Sequence, residues 1–108
     1  MLSDYLKTYL EQDDIVIIGT SRKMLESIAG YPGWACITNI MRPDGVHRRI
    51  TAFEEGKYKG LAISYQYASC GIKLERPKTL LFLDRHPDEN FNLQAIRCVG
   101  DDSKIEYM

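Results

Sequence analysis

Several clusters of polar side chains in this sequence follow short apolar runs, and their types suit contact with phosphates or nucleobases. Thr20-Ser21-Arg22 comes directly after Ile15–Ile18 and Gly19. Two hydroxyls at the head of a helix can cap its free amides, and the same amides with Arg22 can take a nucleic-acid phosphate. The two uses are compatible. Thr38 and Asn39 close a second apolar run, with Arg42 just beyond, and suit either backbone contact or an ordinary strand-to-helix turn. Ser64, Gln66 and Tyr67 follow a third run; a hydroxyl and an amide suit a phosphate oxygen, and a tyrosine ring offers a face on which a base can stack. Gln94 and Arg97 stand about one helical turn apart and can share a face, as an interface pair or as plain surface polarity.

Other chemistries find less support. Cys36, Cys70 and Cys98 are an odd set without a C-x-x-C pair, and His47 and His86 are far apart, so close zinc-ligand pairs are missing and no metal site is expected. The thiols read as buried or incidental in a reducing cytosol. No nucleophile–base arrangement stands out. Arg42, His47, Arg48 and Arg49 form the one dense basic cluster, which reads as a solvated helix face, with Glu54 and Glu55 to offset it, or as a local basic patch. A formal net charge of −1 excludes a simple polycation but not such a patch. No apolar run approaches a membrane span, and the start of the chain lacks a signal-peptide core, so a cytoplasmic protein is expected.

The elements that must position these residues are legible from periodicity. The 108 residues suit one domain, 1–108, with one core. Leu2, Leu6, Tyr9 and Leu10 recur at helical spacing, with Ser3 and Asp4 as candidate caps. Ile15–Ile18 reads as a strand buried on both faces. Met24, Leu25, Ile28 and Ala29 stripe a second helix that Gly30-Tyr31-Pro32-Gly33 stops. Trp34–Thr38 is a second strand. After Pro43-Asp44-Gly45 a helix carries Val46, Ile50 and Phe53, ending at Gly56. Leu61–Ser64 is a third strand, followed by a loop through Ser69-Cys70-Gly71. Thr79–Leu83 is the most hydrophobic strand, Pro87-Asp88-Glu89 opens a helix holding Phe91, Leu93, Ile96 and Val99, and Ser103–Met108 suits an edge strand. This alternation predicts an α/β fold: a three-layer sandwich around a five- or six-stranded, mostly parallel sheet. Sites in such sheets lie at the carboxyl ends of the strands, which points to the loops Gly19–Arg22, Thr38–Arg42, Ser64–Gly71 and Asp84–Asp88.

The segment Gly60–Asp84, GLAISYQYASCGIKLERPKTLLFLD, resembles motif V and the following strand of superfamily-two helicases, especially the Swi/Snf-like translocases, through Ser64, Ala68-Ser69, Gly71-Ile72-Lys73-Leu74 and Thr79–Asp84. Upstream, Arg48-Arg49-Ile50 and Phe53-Glu54-Glu55-Gly56 fit the family's preceding helix. Asn90–Gly100 (NFNLQAIRCVG) resembles motif VI: Gln94 matches its first position and Arg97 its first arginine, one residue early, while Val99-Gly100-Asp101 stands where the second arginine belongs. The resemblance implies a RecA-like second lobe. Taken with the residue readings above, it points to nucleic-acid contact at Thr20, Ser21, Arg22, Thr38, Asn39, Arg42, Ser64, Gln66 and Tyr67, and to a nucleotide interface at Gly71, Gln94 and Arg97.

A distal arginine of that kind stabilises charge on the transferred phosphoryl group and is worth ~10³–10⁵ in rate. The chain also lacks a G-x-x-x-x-G-K-[ST] loop. It is therefore not expected to be a complete ATPase or to take a cofactor alone; ATP would sit only at an interface with a first-lobe partner. Two functions follow. One is a DNA- or RNA-binding accessory lobe of a two-lobe helicase or translocase, with the first lobe in trans. The other is a non-catalytic interaction module or inhibitor docking on a helicase, nuclease or defence complex. A third, an excised piece of a longer helicase, is disfavoured by Met1 and a complete final strand.

Overall fold

The computed structural model describes residues 4–38, 42–68, 73–100 and 102–107. Its elements in chain order are α1 (Asp4–Leu10), β1 (Ile15–Gly19), α2 (Arg22–Ala29), β2 (Trp34–Ile37), α3 (Pro43–Glu54), β3 (Gly60–Ser64), α4 (Tyr65–Ala68), β4 (Thr79–Phe82), α5 (Glu89–Ile96) and β5 (Lys104–Tyr107). The strands form one five-stranded sheet in the order β2-β3-β1-β4-β5, and every pairing is parallel.

Every residue of β1 and β2 is buried, yet the pleat still sorts side chains between two cores. Val16, Ile18, Ala35, Ile37, Leu61, Ile63, Leu80 and Phe82 face one side, where Val46 and Phe53 of α3, Tyr65 and Ala68 of α4 and Ala95 of α5 cover them. Ile15, Ile17, Trp34, Cys36, Ala62 and Leu81 face the other, under Leu6, Tyr9 and Leu10 of α1 and Leu25 and Ile28 of α2. This is the three-layer arrangement that the alternation of strand and helix patterns implies. Gly60 is required by a close approach: a β-carbon there would overlap the Trp34 ring.

Five local readings need correction. α3 begins at Pro43 itself, because proline is preorganised for the first helical turn, where its missing N–H costs nothing. The stretch after β3 opens as the short helix α4 rather than a loop. In α5 the apolar pattern misleads: Leu93 is 50% exposed and Asn92 is buried. Asn92 earns that place by bonding, since its amide accepts from the His86 N–H at 2.9 Å and donates to the His86 carbonyl at 2.9 Å. Met24 of the expected α2 stripe is likewise 38% exposed. Glu54 serves the backbone rather than the basic cluster, accepting from the amides of Glu75 and Arg76 at 2.7 and 3.0 Å. Leu2 and Ser3 lie outside the described residues. Among those described, no helix is long and apolar enough to cross a membrane.

Candidate nucleic-acid interface

The chain leaves β1 through α2 on one face of the sheet, but leaves β3 and β4, the two neighbours of β1, through α4 and α5 on the opposite face. Loops that part in this way open a crevice at the carboxyl ends of the strands. An open cleft of about 520 Å³ lies there, lined by Gly19, Thr20 and Arg22 from the first loop, Ser64, Tyr65 and Gln66 from the second, and Arg85, His86 and Pro87 from the third.

One acidic residue ties these loops together through both its side chain and its backbone. The Asp84 carboxylate accepts from the Thr20 N–H at 3.0 Å and from the Thr20 hydroxyl at 2.5 Å, while the Asp84 carbonyl accepts from the Tyr65 hydroxyl at 2.5 Å. Tyr65 is buried against Phe82, ring centroids 5.9 Å apart, with His86 edge-on at 5.4 Å. Burial, reinforced by the charge of Asp84, pushes the Tyr65 phenol up to about 12. His86 stacks on Phe91 at 4.3 Å, and its Nδ1 accepts from the Asp88 N–H at 2.9 Å. Asp88 in turn caps α5 by accepting from the Asn90 N–H at 2.9 Å.

The two arginines of the cleft each have a carboxylate partner four residues further on. Arg22 lies 3.5 Å from Glu26. Arg85 donates to both oxygens of Glu89 at 2.8 Å, and its guanidinium lies 5.4 Å from the Tyr107 ring centroid. That hydrogen bond holds the Glu89 carboxyl below its ordinary range and the Arg85 guanidinium above its own. These are exposed pairs, loose enough to exchange partners. Ser64 differs: its Oγ is buried and has no hydrogen-bond partner.

Of the residues assigned to nucleic acid, Thr20, Arg22, Ser64 and Gln66 line this cleft. Ser21 borders it as the cap of α2, accepting from the Met24 N–H at 3.3 Å. Thr38 is buried at the end of β2, Arg42 is exposed ahead of α3, and Tyr67 packs beside the core on α4; none of the three lines the cleft. Asn39 and Gly71 lie outside the described residues, as do Ser69 and Cys70. Gln94 and Arg97 are separated from the site: α5 starts at the cleft and runs away from it for eight residues, roughly 12 Å. Both side chains are exposed, and Arg97 lines a different depression with Lys73 and Ser103. In the basic cluster Arg48 pairs loosely with Asp44 at 3.9 Å, whereas Arg49 is half-buried with its Nη1 2.5 Å from the Cys36 carbonyl.

Asp84, Tyr65, Arg85 and His86 were not among the residues singled out. The strand-end rule did point at the loop Asp84–Asp88, and an arginine beside a histidine there was the available signal. Cys36 and Cys98 are free and buried; burial raises both thiols, Cys98 to about 12. No group of His, Cys, Asp and Glu suited to a metal occurs among the described residues.

No protein-family model matches the chain, and no curated protein matches it by sequence. Solved structures do match its fold. The C-terminal part of the Fun30 ATPase domain superposes with a TM-score of 0.79 at 18% identity, covering 96% of this chain and 39% of that one. Dbp5 of S. cerevisiae bound to RNA and ADP BeF3 gives 0.71 at 17%, covering 95% and 30%. The E. coli DEAD-box protein SrmB bound to the regulator of ribonuclease activity A gives 0.75 at 15%, covering 95% and 66%. The chain thus has the fold of the C-terminal RecA-like lobe of helicases, and spans less than two thirds of the length of these proteins.

Proposed function

We propose that the chain is a helicase second-lobe module that holds nucleic-acid backbone in the cleft at the carboxyl ends of β1, β3 and β4, working with a first lobe carried by another chain. The observation behind this reading is the convergence of three loops that bring Thr20, Arg22, Ser64, Gln66 and Arg85 to one opening. Phosphate oxygens would accept from the Ser64 hydroxyl, the Gln66 amide and the arginines, with Arg22 and Arg85 leaving Glu26 and Glu89. Asp84 bonds Thr20 and so positions the first loop. Dbp5 was solved with RNA bound, which agrees with a strand lying across such a lobe.

The residues do not by themselves fit ATP. Gln94 and Arg97 are exposed along and beyond α5, away from the cleft, and the sequence has no phosphate loop. ATP would be bound, if at all, where a first lobe brings its own phosphate-binding residues, and no step is assigned to it in this chain.

The test is fluorescence anisotropy of labelled single- and double-stranded DNA and RNA across a salt series. With the two cleft arginines engaged, the logarithm of the binding constant for a single strand should fall with that of salt at a slope of about −1.4. Arg22→Ala and Arg85→Ala should each weaken binding. No binding at low salt would overturn the reading. One observation favours a second: with Glu26 and Glu89 beside its arginines, the cleft is close to neutral, which suits a protein surface better than a polyanion. SrmB was solved with a protein regulator bound. In that case the chain would ignore nucleic acid and bind a helicase, nuclease or defence protein in pull-down.

A further inference from the structure

The two edges of the sheet are finished differently. β2 is buried along its whole length, and Arg49 meets its Cys36 carbonyl. β5 is exposed or half-exposed along its length. Lys104 donates its amide to the Lys78 carbonyl at 2.8 Å in the parallel ladder with β4. The alternation of the pleat therefore turns the N–H and C=O of Ile105 to the outer side, where they offer a template for another strand.

The layer above this edge is also apolar. Glu89, Leu93 and Ile96 share one flank of α5 at spacings of four and three. Ile96 and Ile105 line the same depression, and Arg85 links Glu89 to Tyr107. Leu93 and Tyr107, 50% and 49% exposed, are two of the three large exposed hydrophobic side chains among the described residues.

We propose that this edge binds a second copy of the same chain, with the two β5 strands antiparallel and the twofold axis between the two Ile105 residues. The charges select both partner and register. Lys104 and Glu106, paired at 2.9 Å within the chain, flank Ile105. Centred on Ile105, the antiparallel register sets Lys104 of each copy opposite Glu106 of the other, and the two Ile105 residues exchange both backbone bonds. Centring on residue 104 or 106 would pair Ile105 with residue 103 or 107 of the other copy and set like charges directly opposite each other. The strand is thus complementary to itself in one register, and the exposed Leu93 flanks of the two α5 helices lie on the same face of the joined sheet.

Sedimentation equilibrium of the full chain up to about 1 mM should show a dimer with a dissociation constant in the micromolar range, as a small interface allows. Lys104→Glu and Glu106→Lys should each weaken it tenfold or more, whereas an equimolar mixture of the two variants should associate, since each then opposes unlike charges. Glu106 also accepts from Tyr9, so circular dichroism must show that both variants are folded. Independently, the Ile105 amide of the unmodified chain should exchange with solvent more slowly as concentration rises. A chain that stays monomeric, a dimer indifferent to both reversals, a folded mixture that does not associate, or an Ile105 amide whose exchange ignores concentration would each overturn the proposal.

Discussion

The two ends of this parallel sheet treat their polar groups in opposite ways. At the amino end they close on one another. Asp14, in a left-handed conformation with φ 58°, takes Arg76 at 2.6 Å and Lys78 at 3.8 Å, and its backbone bonds Lys59 and Lys78. Glu54 holds two further amides beside it. At the carboxyl end Asp84 is the link, bonding Thr20 across 64 residues of sequence and Tyr65 across 19. Around it the arginines hold exposed partners and Ser64 holds none. The difference shows where stability is kept and where groups are left available for a ligand.

The amino end should therefore be the costly one to disturb. Gly60→Val forces a side chain into the Trp34 ring and should cost about 3 kcal/mol or more, measured by urea unfolding. A tolerated valine would mean that β2 and β3 are less tightly joined than described. Asp14→Ala leaves a half-buried Arg76 without its partner and should cost about 1–3 kcal/mol by the same measurement, the lower end reflecting solvent at Arg76.

At the carboxyl end the effects should be smaller and more conditional. An unfolded tyrosine ionises near 10, whereas folded Tyr65 keeps its proton to about 12. The folded state thus binds the extra proton, so its stability is whole below pH 10 and is lost as pH rises through 12. Alkaline absorbance titration should show one late-ionising tyrosine that Tyr65→Phe removes. Least of all should be felt from Ser64→Ala. Deleting a buried hydroxyl without a partner should leave stability unchanged or raise it by about 0.5–1 kcal/mol, while weakening strand binding in the anisotropy assay. A clear loss of stability would break the contrast between the ends.

How much of this was legible beforehand follows from the range of the interactions. Ile15–Ile18, Leu61–Ile63 and Thr79–Phe82 announce buried strands because each forms its pattern within a few residues. The strand-end rule then points to the loops of Thr20, Arg22, Ser64 and Gln66, but equally to Thr38 and Arg42, which do not line the cleft. What sequence could not reveal depends on distant partners. Asp84 matters because Thr20 meets it, and Asn92 goes inward because His86 offers a backbone N–H and a carbonyl. Leu93 goes outward although Ile96, on the same flank of α5, packs against the core, a difference that local spacing does not carry. The family resemblance supplied the RecA-like frame, but the spacing that suggested Gln94 and Arg97 carried no information on which end of α5 faces the cleft.

The only tryptophan of the chain sits where the first helix meets the sheet. Trp34 lies over Gly60, and its indole N–H donates to the carbonyl of Leu10, the last residue of α1, at 3.0 Å. The indole thus provides an intrinsic optical gauge. Its emission reports whether α1 is seated, free of signal from any other indole, so detachment of that one helix can be followed apart from melting of the whole chain.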